Sequence, residues 1–166
     1  MDDSATTFET GLVALLPRLR RFAHGLCRSG ADADDLAQQT VERALRARSQ
    51  WEPGTRLDSW LYRIMRNLWV DNGRAHTRAS RVIAPEEAGL AVGEDPTPGM
   101  DAKLELAHVM RAMDTLPGEQ REAIALVLIE GLGYREAAAL LGIPEGTLAS
   151  RLVRGRIALL ALLGEG

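Results

Sequence analysis

The sequence has few of the residues that disulfide bonding, metal binding or membrane insertion would need. It contains one cysteine and three histidines among its 166 residues. A single cysteine cannot form an internal disulfide, and it is typical of a protein in a reducing cytoplasm. Apolar runs such as residues 157–163 are far shorter than the roughly 20 residues that cross a bilayer. The N-terminus has no basic region followed by an apolar one. We therefore predict a cytoplasmic protein without membrane insertion.

Catalytic and metal-binding patterns are also missing from the sequence. It has no glycine-rich phosphate loop and no Ser/His/Asp arrangement with an interpretable spacing. His24 and Cys27 offer two potential zinc ligands, but a structural zinc site needs four. We therefore predict no enzyme activity, no catalytic residue, no metal, no cofactor and no small-molecule substrate. Cys27 lies on an apolar helical face, and we expect it to be a small core residue.

The net charge of −3 argues at first against nucleic acid as a partner, but the negative charge is concentrated in one stretch. Residues 82–105 hold six acidic residues and one lysine, or −5, so the rest of the chain sums to +2. Residues 51–81 hold six arginines and three acids, or +3. The acidic stretch also contains three prolines and three glycines and has no helical period. We predict a flexible linker over residues 81–101.

The apolar periodicity on both sides of this stretch is helical. It predicts helices over residues 8–26, over a second segment opened by Asp32, Asp34 and Asp35, and over residues 58–74. Pro17 lies within the first pattern, and we expect it to kink or divide that helix. Four further helices are predicted after residue 102, including an apolar run at 124–129 that we expect to be deeply buried. The fold class predicted is all-α, with two small helical domains at residues 8–80 and 102–163.

The last two predicted helices form a helix-turn-helix pattern. Residues 134–141 are alanine-rich, Gly142 permits a left-handed turn, and a second amphipathic helix follows from residue 145 or 146. Leu148 and Leu152 are expected to anchor that helix to the core. Donor-rich side chains suited to phosphates and base edges then remain outside: Thr147, Ser150, Arg151, Arg154 and Arg156. Taken alone, the pattern fits an αα-hairpin with solvated arginines equally well.

Four motifs in order are more specific than this pair of helices. They are ADADDLAQQTVERAL at residues 31–45, WLYRIMRN at 60–67 with Asp71 and Arg74, LPGEQRE at 116–122, and GYREAA at 133–138 with LGIPEGTLASRLVRGR at 141–156. Together the motifs resemble a minimal sigma factor of the sigma-70 family, in the extracytoplasmic-function group. The resemblance covers roughly residues 10–76 and 102–163, with the family's usual acidic linker between them. It implies core RNA polymerase and promoter DNA as partners, and an anti-sigma factor that silences the protein.

The resemblance also implies site residues. Core polymerase binding falls on the helix with Asp35, Leu36, Gln38, Gln39 and Glu42. Recognition of the minus-ten element falls on Arg63, Arg66, Asn67, Asp71 and Arg74, where Asn67 matches a position that can read a flipped base. The five donor-rich residues of the last helix would read the minus-35 element. The sequence departs from the family pattern at Gln39, where a carboxylate is usual, at Ala149, where a lysine or arginine is frequent, and at Val153.

Two other functions stay open at this point. A helix-turn-helix regulator would bind operators as a free dimer, and a helical scaffold would bind polymerase or a regulator without supporting transcription. The aromatic residues do not decide between them. Trp60 and Tyr62 are candidate stacking platforms, although we expect Trp60 to lie in the core, and the exposure of Trp69 is left undecided.

Overall fold

A computed structural model describes residues 3–80 and 99–164, apart from the side chains of Ser4 and residues 74–80. Over these two ranges the chain forms helices and no strand, which confirms the all-α class. Seven α-helices are described: α1 Asp3–Leu26, α2 Gly30–Arg46, α3 Leu57–Ser80, α4 Met100–Thr115, α5 Gly118–Ile124, α6 Tyr134–Leu141 and α7 Glu145–Gly164. A 3-10 turn, Arg48–Gln50, follows α2, and a π-helical turn, Ala125–Ile129, continues α5. The predicted linker lies outside the described residues except for residues 99–101, and Met100 already begins α4.

The first half, residues 3–80, is a bundle of α1, α2 and α3. Its core is built on aromatic contacts between distant segments: the rings of Phe22 and Tyr62 meet edge to face at 5.0 Å, and Phe8 contacts Trp51 at 5.7 Å and Trp60 at 6.0 Å. Such edge-to-face pairs stabilise a core beyond their buried area. Trp60 is half-buried against Phe8, and Tyr62 is fully buried. Neither ring is therefore an exposed stacking platform in this arrangement.

One helix end and one proline in the first half follow from local chemistry. Ser29 caps α2, because its hydroxyl accepts from the backbone N–H of Asp32 at 3.1 Å. Helix α1 runs through Pro17 without a break, so the expected division is wrong. Pro17 and Val13 both lie on the exposed side of α1. The Val13 carbonyl loses its helical partner to the proline ring, and on this side of the helix water can replace that hydrogen bond.

The second half, residues 99–164, contains α4 to α7. Gly142 adopts φ +67° between α6 and α7, and Leu148 and Leu152 are buried, so the predicted turn and anchors are confirmed. Gly155 is buried against α5, where a Cβ atom would lie 2.7 Å from Ile124 Cδ1. The prediction that residues 124–129 are deeply buried is wrong at Leu128, which is 53% exposed. Six consecutive apolar residues cannot all share one face, and the π-turn directs Ala125, Leu126 and then Glu130 inward.

The two halves pack against each other. Helix α1 contacts α5 and the π-turn, and α3 contacts α6. Helix α1 lies close to the π-turn at buried Gly25, where a Cβ atom would lie 3.4 Å from the Ala125 Cβ atom. Trp69 of α3 is half-buried and lies over Gly118 at the start of α5. Its position therefore depends on the contact between the halves.

Candidate nucleic-acid interface

The predicted minus-ten residues lie on α3, but the structure does not place them all on one surface. Arg63, Asn67 and Asp71 are exposed and follow one another at intervals of four residues along one helix face. Asn67 and Asp71 line a shallow pocket of about 160 Å³ together with Arg43 and Trp60. The side chain of Arg74 lies outside the described part of the structure.

Arg66 is turned away from that exposed face and is engaged by the second half of the chain. Its Nε donates to Glu122 Oε2 at 3.0 Å and its Nη2 donates to Oε1 at 3.4 Å. The Glu122 side chain is almost fully buried, whereas that of Arg66 is about one quarter exposed. A fork of two parallel hydrogen bonds is the strongest geometry that a guanidinium makes with a carboxylate.

The predicted polymerase-binding residues form a polar surface on α2, with one exception. Asp35, Gln38, Gln39 and Glu42 are exposed. Gln38 donates to Glu42 at 3.3 Å, and Asn72 of α3 donates to Gln39 at 3.2 Å. Leu36 is only 2% exposed and belongs to the core of the bundle. In this arrangement Leu36 supports the surface from below and does not form part of it.

The predicted minus-35 residues lie on α7, opposite its buried residues Leu148, Leu152 and Gly155. At 3.6 residues per turn, Thr147, Ser150 and Arg154 share the face that points away from the core. Arg151 and Arg156 lie on the two flanks of this face. Arg154 and Arg156 are exposed, while Arg151 is half-buried and lies 3.7 Å from Glu119 of α5. Exposed Val153 is an apolar neighbour of the polar face.

A group of carboxylates at the contact between the halves was not predicted from the sequence. Glu130 has a fully buried side chain that accepts two hydrogen bonds of 2.9 Å from Arg21 and one of 2.8 Å from the Tyr62 hydroxyl. Arg18 Nε lies 3.8 Å from the same carboxylate. Burial and the hydrogen bond to Glu130 raise the pKa of Tyr62. A glutamate directly after the apolar run 124–129 was the available signal, because a carboxylate on a buried face needs cationic partners.

Glu136 of α6 forms the third carboxylate contact. It accepts hydrogen bonds from Arg56 Nη1, at 2.5 Å, and from the Ser59 hydroxyl. Arg56 also pairs with Asp58 at the start of α3. The hydrogen bond from Arg56 helps to lower the pKa of Asp58 against the opposing effect of its burial. Three glutamates of the second half therefore meet hydrogen-bond donors of the first half at three separate places.

Arg121 is a buried cation of the second half that also contacts the first half. It donates to the carbonyl oxygens of Met113, Leu26, Asp114 and Leu116 at 2.9, 3.0, 2.6 and 3.3 Å. Burial lowers its pKa. One of the four acceptors, Leu26, is the last residue of α1. Arg121 lies within the motif at residues 116–122, but no role was predicted for it.

A cleft of about 1070 Å³ lies where the two halves meet, and its walls combine predicted functional residues of both. Asp35 and Gln39 of α2 line one side of the cleft, and Arg66 and Trp69 of α3 line another. Glu119 of α5 also lines the cleft. Among the described residues, no group of three His, Cys, Asp or Glu side chains is placed to hold a metal ion. None of the helices in the described ranges has the length and apolar character to cross a membrane.

Comparisons with known proteins agree with this division of the chain into two helical parts. The family model described as Sigma-70 region 2 matches residues 12–79, and the model described as Sigma-70, region 4 matches residues 106–159. The ECF RNA polymerase sigma factor EcfG of Rhodopseudomonas palustris is 39% identical over 152 residues, which cover 92% of this chain and 82% of that protein. The RNA polymerase sigma factor CarQ of Myxococcus xanthus is 33% identical over 167 residues, which cover 99% and 93%.

Two solved structures share the fold. The sigma factor RpoE in its complex with the anti-sigma factor NepR from Bartonella quintana aligns with a TM-score of 0.80 and 31% identity, covering 99% of this chain and 98% of RpoE. CnrH in its complex with the cytosolic domain of CnrY aligns with a TM-score of 0.71 and 27% identity, covering 97% and 90%.

The fold and its surfaces define a two-part, all-α DNA-binding protein whose second part carries a helix-turn-helix. The chain belongs to the extracytoplasmic-function RNA polymerase sigma factors of the sigma-70 family. Members of this family are transcription initiation factors, so the prediction of a sigma factor is confirmed.

Proposed function

We propose that three surfaces on three helices divide the work of initiation in this sigma factor. The polar surface of α2 docks on core RNA polymerase, the exposed face of α3 reads the minus-ten element, and the outer face of α7 reads the minus-35 element. The observation that carries the proposal is that each helix buries one face in the core and presents its predicted functional residues on the other. Leu36 of α2 and Arg66 of α3 depart from this pattern, and Arg151 of α7 departs in part, because it is half-buried and lies 3.7 Å from Glu119. The side chain of Arg74 lies outside the described residues.

On α3, Asn67 is the residue that we assign to a promoter base. Its amide is exposed and lies at the edge of the pocket that Trp60 and Asp71 also line. An amide carries both donors and acceptors, which suits the Watson–Crick edge of a base that has left the stack. Arg63, one turn earlier on the same face, is placed to contact the adjoining phosphate.

We call the structure in which the two halves pack against each other the closed arrangement. In this arrangement the chain cannot read both promoter elements at once. The two elements are separated by roughly 25 base pairs, which is about 85 Å at about 3.4 Å per base pair. A compact chain of this length has a radius of gyration of about 15 Å and therefore a diameter of about 40 Å. Initiation then requires the two halves to separate on polymerase. An anti-sigma factor that keeps them together would silence the chain. RpoE, which has the same fold, was solved in complex with the anti-sigma factor NepR, and CnrH was solved in complex with the cytosolic domain of CnrY.

Reconstituted transcription with core polymerase tests this assignment surface by surface. We expect the Asp35→Ala, Gln38→Ala double variant to lose core binding, whereas Asn67→Ala keeps core binding and loses promoter-specific initiation. Arg154→Ala should reduce initiation only from promoters that carry a minus-35 element. Arg20→Ala is the matched control, because Arg20 is an exposed arginine of α1 outside the three surfaces. Failure of the wild-type chain to associate with core polymerase would refute the proposal.

A further inference from the structure

The outer face of α7 carries an apolar strip beside its polar one. Ser150 and Arg154 lie four residues apart and form the polar strip, whereas Ala149 and Val153, also four residues apart, form the apolar strip next to it. Val153 is 57% exposed. Ala149 leaves it uncovered, because a single methyl group does not reach across to the next turn of the helix. The surface that we assign to the minus-35 element therefore contains a bare, branched aliphatic side chain.

Val153 lies in the part of α7 that a major groove can hold. Residues 146–154 span about 12 Å at about 1.5 Å per residue, which matches the major-groove width of about 12 Å. In a helix-turn-helix the N-terminal part of the second helix contacts the base edges. Ile157 and Leu160, each 65% exposed, lie on the same side of α7 but beyond this span. Of these three apolar residues, only Val153 is placed to meet base edges.

The arginines of α7 place a polar contact next to Val153. Arg151 is half-buried and lies 3.7 Å from Glu119 of α5. Arg154 is exposed, and no carboxylate among the described residues pairs with it. A free arginine in the major groove can donate two hydrogen bonds to a guanine. Since adjacent Cα atoms are about 3.8 Å apart and base pairs stack at about 3.4 Å, Val153 then faces a base within about two base pairs.

The chemistry of a valine side chain selects one base. In the major groove thymine alone presents a methyl group, on its C5 atom. Valine is branched at Cβ and holds one side-chain rotamer in a helix, so its two methyl groups are fixed before DNA binds. Contact with a thymine methyl group removes apolar surface of both partners from water and costs little conformational entropy. Val153 therefore favours thymine over the other three bases.

We propose that Val153 determines part of the promoter specificity: its side chain contacts the C5-methyl group of a thymine in the minus-35 element, within about two base pairs of the base that Arg154 contacts. The inference rests on the function proposed for α7 and names the base that this part of the helix reads. Because residue 153 departs from the family pattern, the resemblance to the family does not itself predict this preference.

Reconstituted transcription with core polymerase and modified promoters tests the contact. The template is a promoter that the wild-type chain transcribes, and each thymine of its minus-35 element, on either strand, is replaced in turn by deoxyuridine, which lacks only the C5-methyl group. Val153→Ala removes both methyl groups from the protein side. Ile157→Ala is the matched control, because Ile157 is a similarly exposed aliphatic residue one turn further along α7. Circular dichroism checks that both variants keep their helix content.

At limiting holoenzyme, we expect deoxyuridine at one thymine to lower initiation by the wild type about fourfold. This factor corresponds to about 0.8 kcal/mol, the contribution of one buried methylene-sized group. Val153→Ala should initiate less from the unmodified promoter and should respond equally to thymine and deoxyuridine at that position. Ile157→Ala should keep the wild-type ratio between the two templates.

Equal initiation by the wild type from all thymine and deoxyuridine templates would overturn the inference, as would an unchanged ratio in Val153→Ala or the same loss of the ratio in Ile157→Ala. If Val153→Ala lost as much initiation from a promoter with a scrambled minus-35 element, residue 153 would contact protein and not a base, which also overturns the inference. Failure of the proposed function looks different: scrambling the minus-35 element and Arg154→Ala would then both leave initiation unchanged.

Discussion

Arg121 joins the two halves of the molecule through hydrogen bonds to the main chain. Its guanidinium reaches three carbonyl oxygens between α4 and α5 and the carbonyl of Leu26 at the end of α1. These carbonyls lie at or next to helix ends, where intrahelical donors run out. One side chain therefore completes the last turns of two helices from different halves. Its charge is kept despite burial because several oxygen dipoles surround it.

Replacement of Arg121 by methionine should strongly destabilise the fold. Methionine fills similar space but donates no hydrogen bond, so four carbonyl oxygens lose the hydrogen bond from this side chain, although Met113 keeps the one from the Leu116 N–H at 3.1 Å. We expect a loss of about 3–5 kcal/mol in the free energy of unfolding, measured by urea denaturation. The control is Arg135→Met, at an exposed arginine of α6, where we expect a change within about 0.5 kcal/mol. Equal urea midpoints for the two variants would contradict the role given to Arg121.

Cys27 should react slowly as long as the protein is folded. Burial, with a smaller effect from Asp32, raises the pKa of its thiol from 9.0 to about 11. The neutral thiol is thus favoured in the fold, and its contribution to stability is full below pH 9 and is lost as the pH rises through 11. At pH 8 the thiolate fraction should be about 100-fold lower than in urea-unfolded protein. Rates of reaction with a disulfide reagent measure this difference, with Cys27→Ala as the blank. Equal rates in folded and unfolded protein would refute it.

At the scale of elements, the packing of α7 on α5 depends on a glycine, which has no side chain, at residue 155. Gly155 is buried, and a Cβ atom there would lie 2.7 Å from Ile124 Cδ1 and 3.3 Å from Gln120 Cβ. Ile124 is itself only 2% exposed, so its side chain has no free space into which to move. Helix α7 can therefore lie this close to α5 only because residue 155 is glycine.

The same substitution at two positions of α7 should have opposite effects on stability. We expect Gly155→Ala to lower the free energy of unfolding by about 1–3 kcal/mol, because it overpacks the contact with Ile124. Gly146→Ala should raise it by roughly 0.5–1 kcal/mol, because nothing lies within 4 Å of a Cβ atom there and alanine favours the helix. Thermal or urea unfolding of the two variants measures whether the free energy of unfolding falls or rises in each. A stabilising Gly155→Ala would show that the two helices do not cross closely at this point.

Most elements could be predicted from the sequence because their signals are local. The apolar period and the Gly142 turn act within a few residues, and α7 has the predicted anchors. The π-turn at Ala125–Ile129 could not be predicted, since an apolar run without a period does not define which residues face inward. The solvent-facing position of Pro17 could not be predicted either, because it depends on how α1 packs against the rest of the bundle.

At the scale of the whole molecule, the two halves are joined by contacts between residues that lie far apart in the sequence. No local sequence pattern predicts such contacts. Arg66 and Glu122 are 56 residues apart, and Arg21 and Glu130 are 109 residues apart. The resemblance to the family assigned Arg66 to the minus-ten element, but the structure places it within the contact between the halves. The charge distribution gave a partial signal, because the arginine-rich segment 51–81 contains two of the arginines that pair with glutamates of the second half, Arg56 and Arg66.

A disulfide between α1 and the π-turn should hold the molecule closed. A Cβ atom at Gly25 would lie 3.4 Å from Ala125 Cβ, close to the Cβ separation of about 3.5–4.5 Å in disulfides. We therefore expect Gly25→Cys with Ala125→Cys, in a Cys27→Ala background, to form this bond on oxidation. The oxidised protein should lose initiation because its halves cannot separate, and reduction should restore it. Each single cysteine variant, treated with the same oxidant, is the control. Full initiation by the cross-linked chain would mean that the closed arrangement is competent for transcription, since the bond leaves the surfaces of α2 and α7 unchanged.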